Sequence, residues 1–97
     1  MYAIAILRYR KPLEDVMKVL DSHRSYLAEL QKKGYLLASG PLEPRNGGAL
    51  LLRVPDVDTN AILDKVRDDD PFTKAGVAQY ELMPWAPTIG MAALDSL

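Results

Sequence analysis

The chain has one histidine, His23, and it stands where helical spacing asks for an apolar residue. Around it Val16, Leu20, Leu27 and Leu30 recur at intervals of three and four, so the imidazole falls on the inward stripe of an amphipathic helix. An imidazole exchanges a proton near neutral pH, which makes a partly buried one a candidate acid or base. A histidine on such a stripe is also often a hydrogen-bonded core residue, and only a partner elsewhere decides between the two. The candidate partner is Asp70. The stretch Asp70-Pro71-Phe72-Thr73-Lys74-Ala75-Gly76 reads as one helical turn, with Asp70 as N-cap, Pro71 as first residue and Gly76 as C-cap. Capping alone explains an aspartate there, beside the solvated acidic pair Asp68 and Asp69. A carboxylate has lone pairs to spare, though, and can also accept from an imidazole. Asp70 would then hold one ring nitrogen of His23 and leave the other free to move a substrate proton.

Further polar groups frame this pair. Ser39 ends a strand in Ser39-Gly40-Pro41, where it either closes a turn or contacts substrate, and Gly40 lets a ligand approach the backbone. Arg8, Arg24 and Arg53 are able to bind a carboxylate or phenolate, and only Arg24, beside His23, has a local reason to do so. Tyr9 and Tyr26 are pocket or boundary residues. No Gly-x-Ser-x-Gly elbow supports a serine nucleophile. One histidine with scattered carboxylates makes no metal-ligand spacing. No Walker loop or dinucleotide fingerprint is present. The expectation is chemistry without metal or cofactor.

The elements that position these residues follow from periodicity. Residues 2–9 are a short aromatic and aliphatic run that reads as a strand, stopped at Arg10-Lys11-Pro12. A helix from Leu13 to Leu30 follows, with Glu14 and Asp15 at its positive end, Lys32 and Lys33 at its negative end, and Gly34 as C-cap. A second strand runs from Tyr35 to Ser39. A loop ends in Asn46-Gly47, which predicts a hairpin turn with positive φ. Ala49 to Val54 is a third strand. Asp56 or Asp58 caps a second helix through Arg67, with Ile62, Leu63 and Val66 inward. Val77 to Met83 is the last strand, which Pro84-Trp85-Ala86-Pro87 terminates. The order β-α-β-β-α-β, with right-handed crossovers, predicts a ferredoxin-like α+β sandwich with both helices on one face of an antiparallel sheet.

Ninety-seven residues make one small domain. Residues 1–86 form it, and 87–97 are a mostly apolar tail. A formal net charge of −1 argues against nucleic acid or an anionic membrane as partner. The absence of cysteine excludes disulfides and thiolate metal sites. The opening apolar run is too short to span a membrane and lacks a signal-peptide pattern, so a cytoplasmic protein is the expectation. The first strand places Ala3, Ala5 and Leu7 on one face and Tyr2, Ile4 and Ile6 on the other. Two helices cover only one face, and a bare apolar face is unusual on a monomer. A homodimer, sheet against sheet, is therefore predicted. The tail either joins that interface or covers its own sheet.

These features together resemble the YCII (YciI-like) family over about residues 1–86. The resemblance rests on the opening strand, on Ser22-His23-Arg24-Ser25-Tyr26-Leu27, and on Ala38-Ser39-Gly40-Pro41 followed by Gly47-Gly48. Asp70-Pro71-Phe72 with Gly76, and Trp85 after Met83-Pro84, complete it. It implies a subunit that dimerises as an α+β barrel, with a site built on a histidine and an aspartate, here His23 and Asp70. Ser39 matches a position where a polar site residue can stand. One relative in that family is a dehydrochlorinase of a chlorinated hydroxyquinol, and muconolactone isomerases share the wider barrel fold.

Three functions fit this reading. The first is a cofactor-free enzyme that moves protons on a small aromatic or lactone-like molecule, by elimination or isomerisation. The second is a non-catalytic module that binds a small ligand or serves an assembly. The third is a cofactor-free monooxygenase. Loss of turnover on His23→Ala separates the first from the second, and oxygen consumption with an electron-rich phenol marks the third.

Overall fold

A computed structural model describes residues 1–97. Strand β1 spans Tyr2–Tyr9, helix α1 Leu13–Lys32, strands β2 Leu36–Pro41 and β3 Gly47–Arg53, and helix α2 Thr59–Asp69. A single turn, α3, covers Pro71–Lys74, followed by β4 at Ala78–Trp85 and a short tail helix α4 at Met91–Asp95. The sheet order is β2-β3-β1-β4 with every pair antiparallel, the arrangement predicted for a βαββαβ sandwich.

The core lies between the sheet and the helices. Ala3, Ala5 and Leu7 alternate along β1 on its helix-facing side. In register with them stand Leu50 and Leu52 of β3. Onto this face α1 lays Val16, Leu20, His23, Leu27 and Leu30, and α2 lays Leu63 and Val66. His23 is thus a polar member of an otherwise aliphatic stripe. Gly34 ends α1 in the left-handed region at φ 81°, a conformation glycine takes without steric cost.

Three local expectations are corrected. The Asn46-Gly47 pair makes no positive-φ hairpin turn, since neither residue has φ above zero. The strands are joined instead by a longer loop through Leu42 to Asn46, closed where Leu42 N donates to Gly47 O at 2.9 Å. Gly47 already belongs to β3, and a Cβ there would sit 1.9 Å from the carbonyl oxygen of Leu7. Its glycine answers a close strand approach rather than a turn. Secondly, neither Asp56 nor Asp58 caps α2 with its side chain. Asp58 holds the N-cap position at φ 58°, whereas a capping side chain works from extended backbone. Asp56 instead receives the N-terminal amine at 2.6 Å. Thirdly, the last strand does not stop at Met83 but takes in Pro84 and Trp85, so that of the expected terminator Pro84-Trp85-Ala86-Pro87 only Ala86-Pro87 lies beyond it. β4 is an edge strand, where a proline need not donate to a neighbour.

The tail lies against its own chain. Tyr2 OH donates to Asp95 Oδ1 at 2.5 Å, and Arg53 donates to the carbonyls of Leu94 at 3.2 Å and Leu97 at 2.7 Å. Tyr2 and Arg53 are register partners, so the tail sits over one end of the sheet face that the helices leave open. No helix is long and apolar enough to cross a membrane.

Candidate functional site

Two elements far apart in sequence converge on one carboxylate. α1 carries His23 inward, and the turn before β4 delivers Asp70. His23 Nδ1 lies 2.8 Å from Asp70 Oδ1. The same oxygen accepts from the backbone N–H of Phe72 at 2.9 Å, so Asp70 is also the N-cap of α3. Its second oxygen, Oδ2, accepts from Tyr80 OH. Asp70 is fully buried, at 0 % exposure, and His23 nearly so, at 7 %.

A buried carboxylate is tolerated only when its lone pairs are met by donors. The backbone N–H and the phenol are donors here, and an ionised carboxylate accepts a third bond from the imidazole. That assigns the ring proton to Nδ1, with Nδ1–H donating to Asp70. Nε2 then carries the lone pair. It has no partner within the protein, and it is not among the buried polar atoms left without one. Phe72 stacks flat on the imidazole, with centroids 3.8 Å apart and 3° between the planes, which fixes the ring's tilt. Burial, and then the negative charge of Asp70, push the Tyr80 phenol well above its ordinary range. Tyr26 is pushed up as well, first by burial and then by Asp69 and Asp70.

His23 opens onto a pocket of about 230 Å³ between α1 and the β2–β3 hairpin. Leu20, Leu50 and Phe72 supply an apolar wall, and Ser39, Gly40, Arg24 and Arg45 supply polar edges. Of the expected site residues, His23, Ser39, Gly40 and Arg24 line this pocket, and Asp70 stands behind the imidazole. Tyr9 lines it too. Arg8 and Arg53 do not: Arg8 lies 3.8 Å from Glu81, and Arg53 holds the tail. Tyr26 donates to Val66 O at 2.8 Å instead. No group of three or more His, Asp or Glu side chains converges as a metal cluster.

Three contributors escaped the sequence reading: Tyr80, Arg45 and the ring of Phe72. Tyr80 had a signal. It shares the inward alternation of Ala78 and Leu82, and a buried tyrosine needs a partner for its hydroxyl. Arg45 had none, since it sits in an aperiodic loop.

The fold is matched outside this chain. The family model described as the YCII-related domain matches residues 2–86. Among solved structures, the chain is similar to 5-chloro-2-hydroxyhydroquinone dehydrochlorinase (TftG) from Burkholderia phenoliruptrix AC1100, in complex with 2,5-dihydroxybenzoquinone. The two share 22 % identity with a TM-score of 0.68, over 89 % of this chain and 95 % of that one. At this identity the likeness speaks for the fold alone, an α+β sandwich with a four-stranded antiparallel sheet. A comparison with curated proteins found no match. The family match, running from the first strand to the end of the last, shows that the chain belongs to the YCII-related family.

Proposed function

We propose that the pocket at His23 is the active site of a cofactor-free enzyme that moves protons on a small organic molecule. One observation carries this reading: Nδ1 of His23 is tied to a buried carboxylate while Nε2 is left unpartnered on a ring that lines a cavity. Nε2 acts as general base: in isomerisation it takes a proton from carbon or oxygen and returns it at a second position, and in elimination it keeps the proton while the freed electron pair forms the new double bond and chloride leaves with the C–Cl pair. Asp70 holds the tautomer and balances the charge that forms on the ring. Tyr80 is a positioning residue that braces the carboxylate. Ser39 and the open backbone at Gly40 contact the substrate. Elimination, including loss of chloride, and isomerisation both need only such a base. The solved dehydrochlorinase of similar fold supports the class of reaction.

A homodimer completes the proposal. Ile4, Leu51 and Met83 share one rung of the sheet face turned away from the helices, and the tail is bonded to the rung at Tyr2 and Arg53. A second copy, sheet to sheet, covers the remainder.

The test uses 5-chloro-2-hydroxyhydroquinone and a panel of small phenols and lactones, following chloride release and deuterium uptake from heavy water. The expected outcome is turnover that falls by about 10²-fold or more in His23→Gln, the typical share of a positioned base. Near-full turnover in His23→Ala overturns the assignment.

A further inference from the structure

The charge around the pocket is one-sided. Arg24, next to His23 on α1, and Arg45, in the β2–β3 loop, both line it, and no aspartate or glutamate does. Asp70 is not part of the lining, being fully buried behind the imidazole and held by three donors, so its single negative charge is set back from the two guanidinium groups at the rim. The other arginines all have polar partners. Arg8 is near Glu81, Arg10 donates to Gln79, Arg53 to carbonyls of the tail, and Arg67 to Asp68 with Asp64 close by. Arg24 makes no side-chain hydrogen bond or ion pair, and the one contact of Arg45 is with Met17 Sδ at 3.9 Å. The two arginines left without a polar partner are therefore the two at this cavity. The chain as a whole carries a formal net charge of −1, so the positive rim is a local arrangement and not a reflection of composition. A cleft lined by one sign of charge over apolar walls concentrates ligands of the opposite sign.

Size and wall chemistry narrow the ligand. The cavity of about 230 Å³ is larger than an apolar cavity of about 150 Å³ that takes up benzene. It has room for one substituted ring or a body of similar bulk, resting on Leu20, Leu50 and Phe72. We propose that the pocket selects small organic anions, with the apolar body on that wall and the oxyanion at the guanidinium rim. This rests on the pocket's being the ligand site of the function proposed above and names the class of molecule it takes. The planar fork of a guanidinium suits a carboxylate in particular.

Benzoate and benzamide test it, since they share ring and shape and differ in charge. Each is titrated against the intact protein while the ring signals of His23, the sole histidine, are followed by NMR. Benzoate is expected to shift them saturably, with affinity at least about tenfold above that of benzamide, as a charge-assisted contact requires. Arg24→Gln and Arg45→Gln, both at exposed positions, each weaken benzoate and leave benzamide unchanged. Added salt acts in the same direction. Benzamide binding as well as benzoate, full benzoate affinity in both variants, or no saturable benzoate shift at all overturns the proposal. The readout needs no turnover. An inert base at His23 would defeat the proton-transfer reading and leave the anion preference standing.

Discussion

Phe72 and His23 are bound to the same oxygen. The backbone N–H of Phe72 and Nδ1 of His23 both meet Asp70 Oδ1, at 2.9 and 2.8 Å, and the two rings lie stacked 3.8 Å apart. The turn Asp70-Pro71-Phe72 thus supplies the carboxylate and the wall that keeps the imidazole facing it. Phe72→Leu keeps most of the apolar volume and removes the stack. The expected cost is about 1–2 kcal/mol, the aromatic pair plus partial loss of packing, or a Tm lower by about 4–15 °C in a domain of this size. The His23 ring signals should broaden as the imidazole gains freedom. Sharp, unshifted signals in a folded variant would show that Phe72 does not orient the ring.

Tyr80 should make the fold sensitive to alkali. Its phenol is raised above the ordinary 10.0 by burial first and by Asp70 second. As pH passes about 10 the unfolded chain sheds this proton and the folded one keeps it, so the unfolded state binds fewer protons and stability falls as pH climbs. Below that point the contribution is whole. Tyr80→Phe removes one hydrogen bond to a charged group, an expected loss of about 1.5–3 kcal/mol at neutral pH. It should also flatten the decline between pH 10 and 12, measured by denaturant unfolding across that range, with Tyr26 and Tyr2, both also raised, contributing to the slope that remains. An unchanged alkaline slope in the variant would contradict the buried phenol–carboxylate contact.

The pair at the centre should not behave additively. His23→Ala leaves Asp70 with two of its three donors, an expected cost of about 1.5–3 kcal/mol. Asp70→Ala removes the acceptor of all three, at about 3–5 kcal/mol. In the double variant the bond is already absent, so the combined loss should fall short of the sum by about 1–3 kcal/mol. Urea unfolding of the four proteins measures this. Strict additivity would mean that the two side chains are not coupled in solution.

The sequence offered both members of the pair, though not their contact, because each carries its own local signature. His23 interrupts an aliphatic stripe of period 3.6, and Asp70-Pro71 opens a helical turn with Gly76 to close it. Both survive in the structure because they depend on neighbours a few residues away. Tyr80 depends on register. It faces Leu7 across β1–β4, on the same rung where Leu7 faces Gly48 of β3. A one-residue slip would turn it to the other face, and local pattern does not set that alignment. Arg45 lies in the loop whose turn type was misread, and a loop has no periodicity to place it. Gly47 shows the same limit from another side. Its glycine reads as a turn in sequence, and only the pairing of β3 with β1 reveals the close carbonyl that requires it.

Two glycines of the hairpin should therefore respond in opposite ways. At Gly47 an added methyl meets the Leu7 backbone at 1.9 Å, and a backbone cannot swing aside as a side chain can. Gly47→Ala should separate β3 from β1 locally and cost more than about 4 kcal/mol, in the exceptional range for one substitution. At Gly40 an added Cβ meets nothing within 4 Å, and the residue lines the pocket. Gly40→Ala should leave Tm nearly unchanged and weaken benzoate. A large loss of stability at Gly40, or none at Gly47, would contradict the strand register drawn here.

The open sheet face makes the final prediction. Ile4 stands between Leu51 on one side and Met83 on the other, with Ala38 beyond Leu51, forming an apolar row across all four strands. Ile4 and Leu51 are half-buried in the single chain, and Ala38 and Met83 are exposed. A monomer would leave this row in water, an unfavourable use of surface for a small domain with a limited core. Light scattering coupled to gel filtration should give twice the chain mass at micromolar concentration. Leu51→Glu places a charge at the middle of the row without disturbing the helix-facing core, since Leu50 and Leu52 point to the other side. It should yield a monomer with the far-ultraviolet circular dichroism of the parent. Any drop in Tm should then shrink as the parent is diluted toward dissociation, because only the parent gains stability from association. A wild-type monomer, or a dimer that persists in Leu51→Glu, would remove the sheet face as the site of pairing and leave the cavity at His23 to work within a single chain.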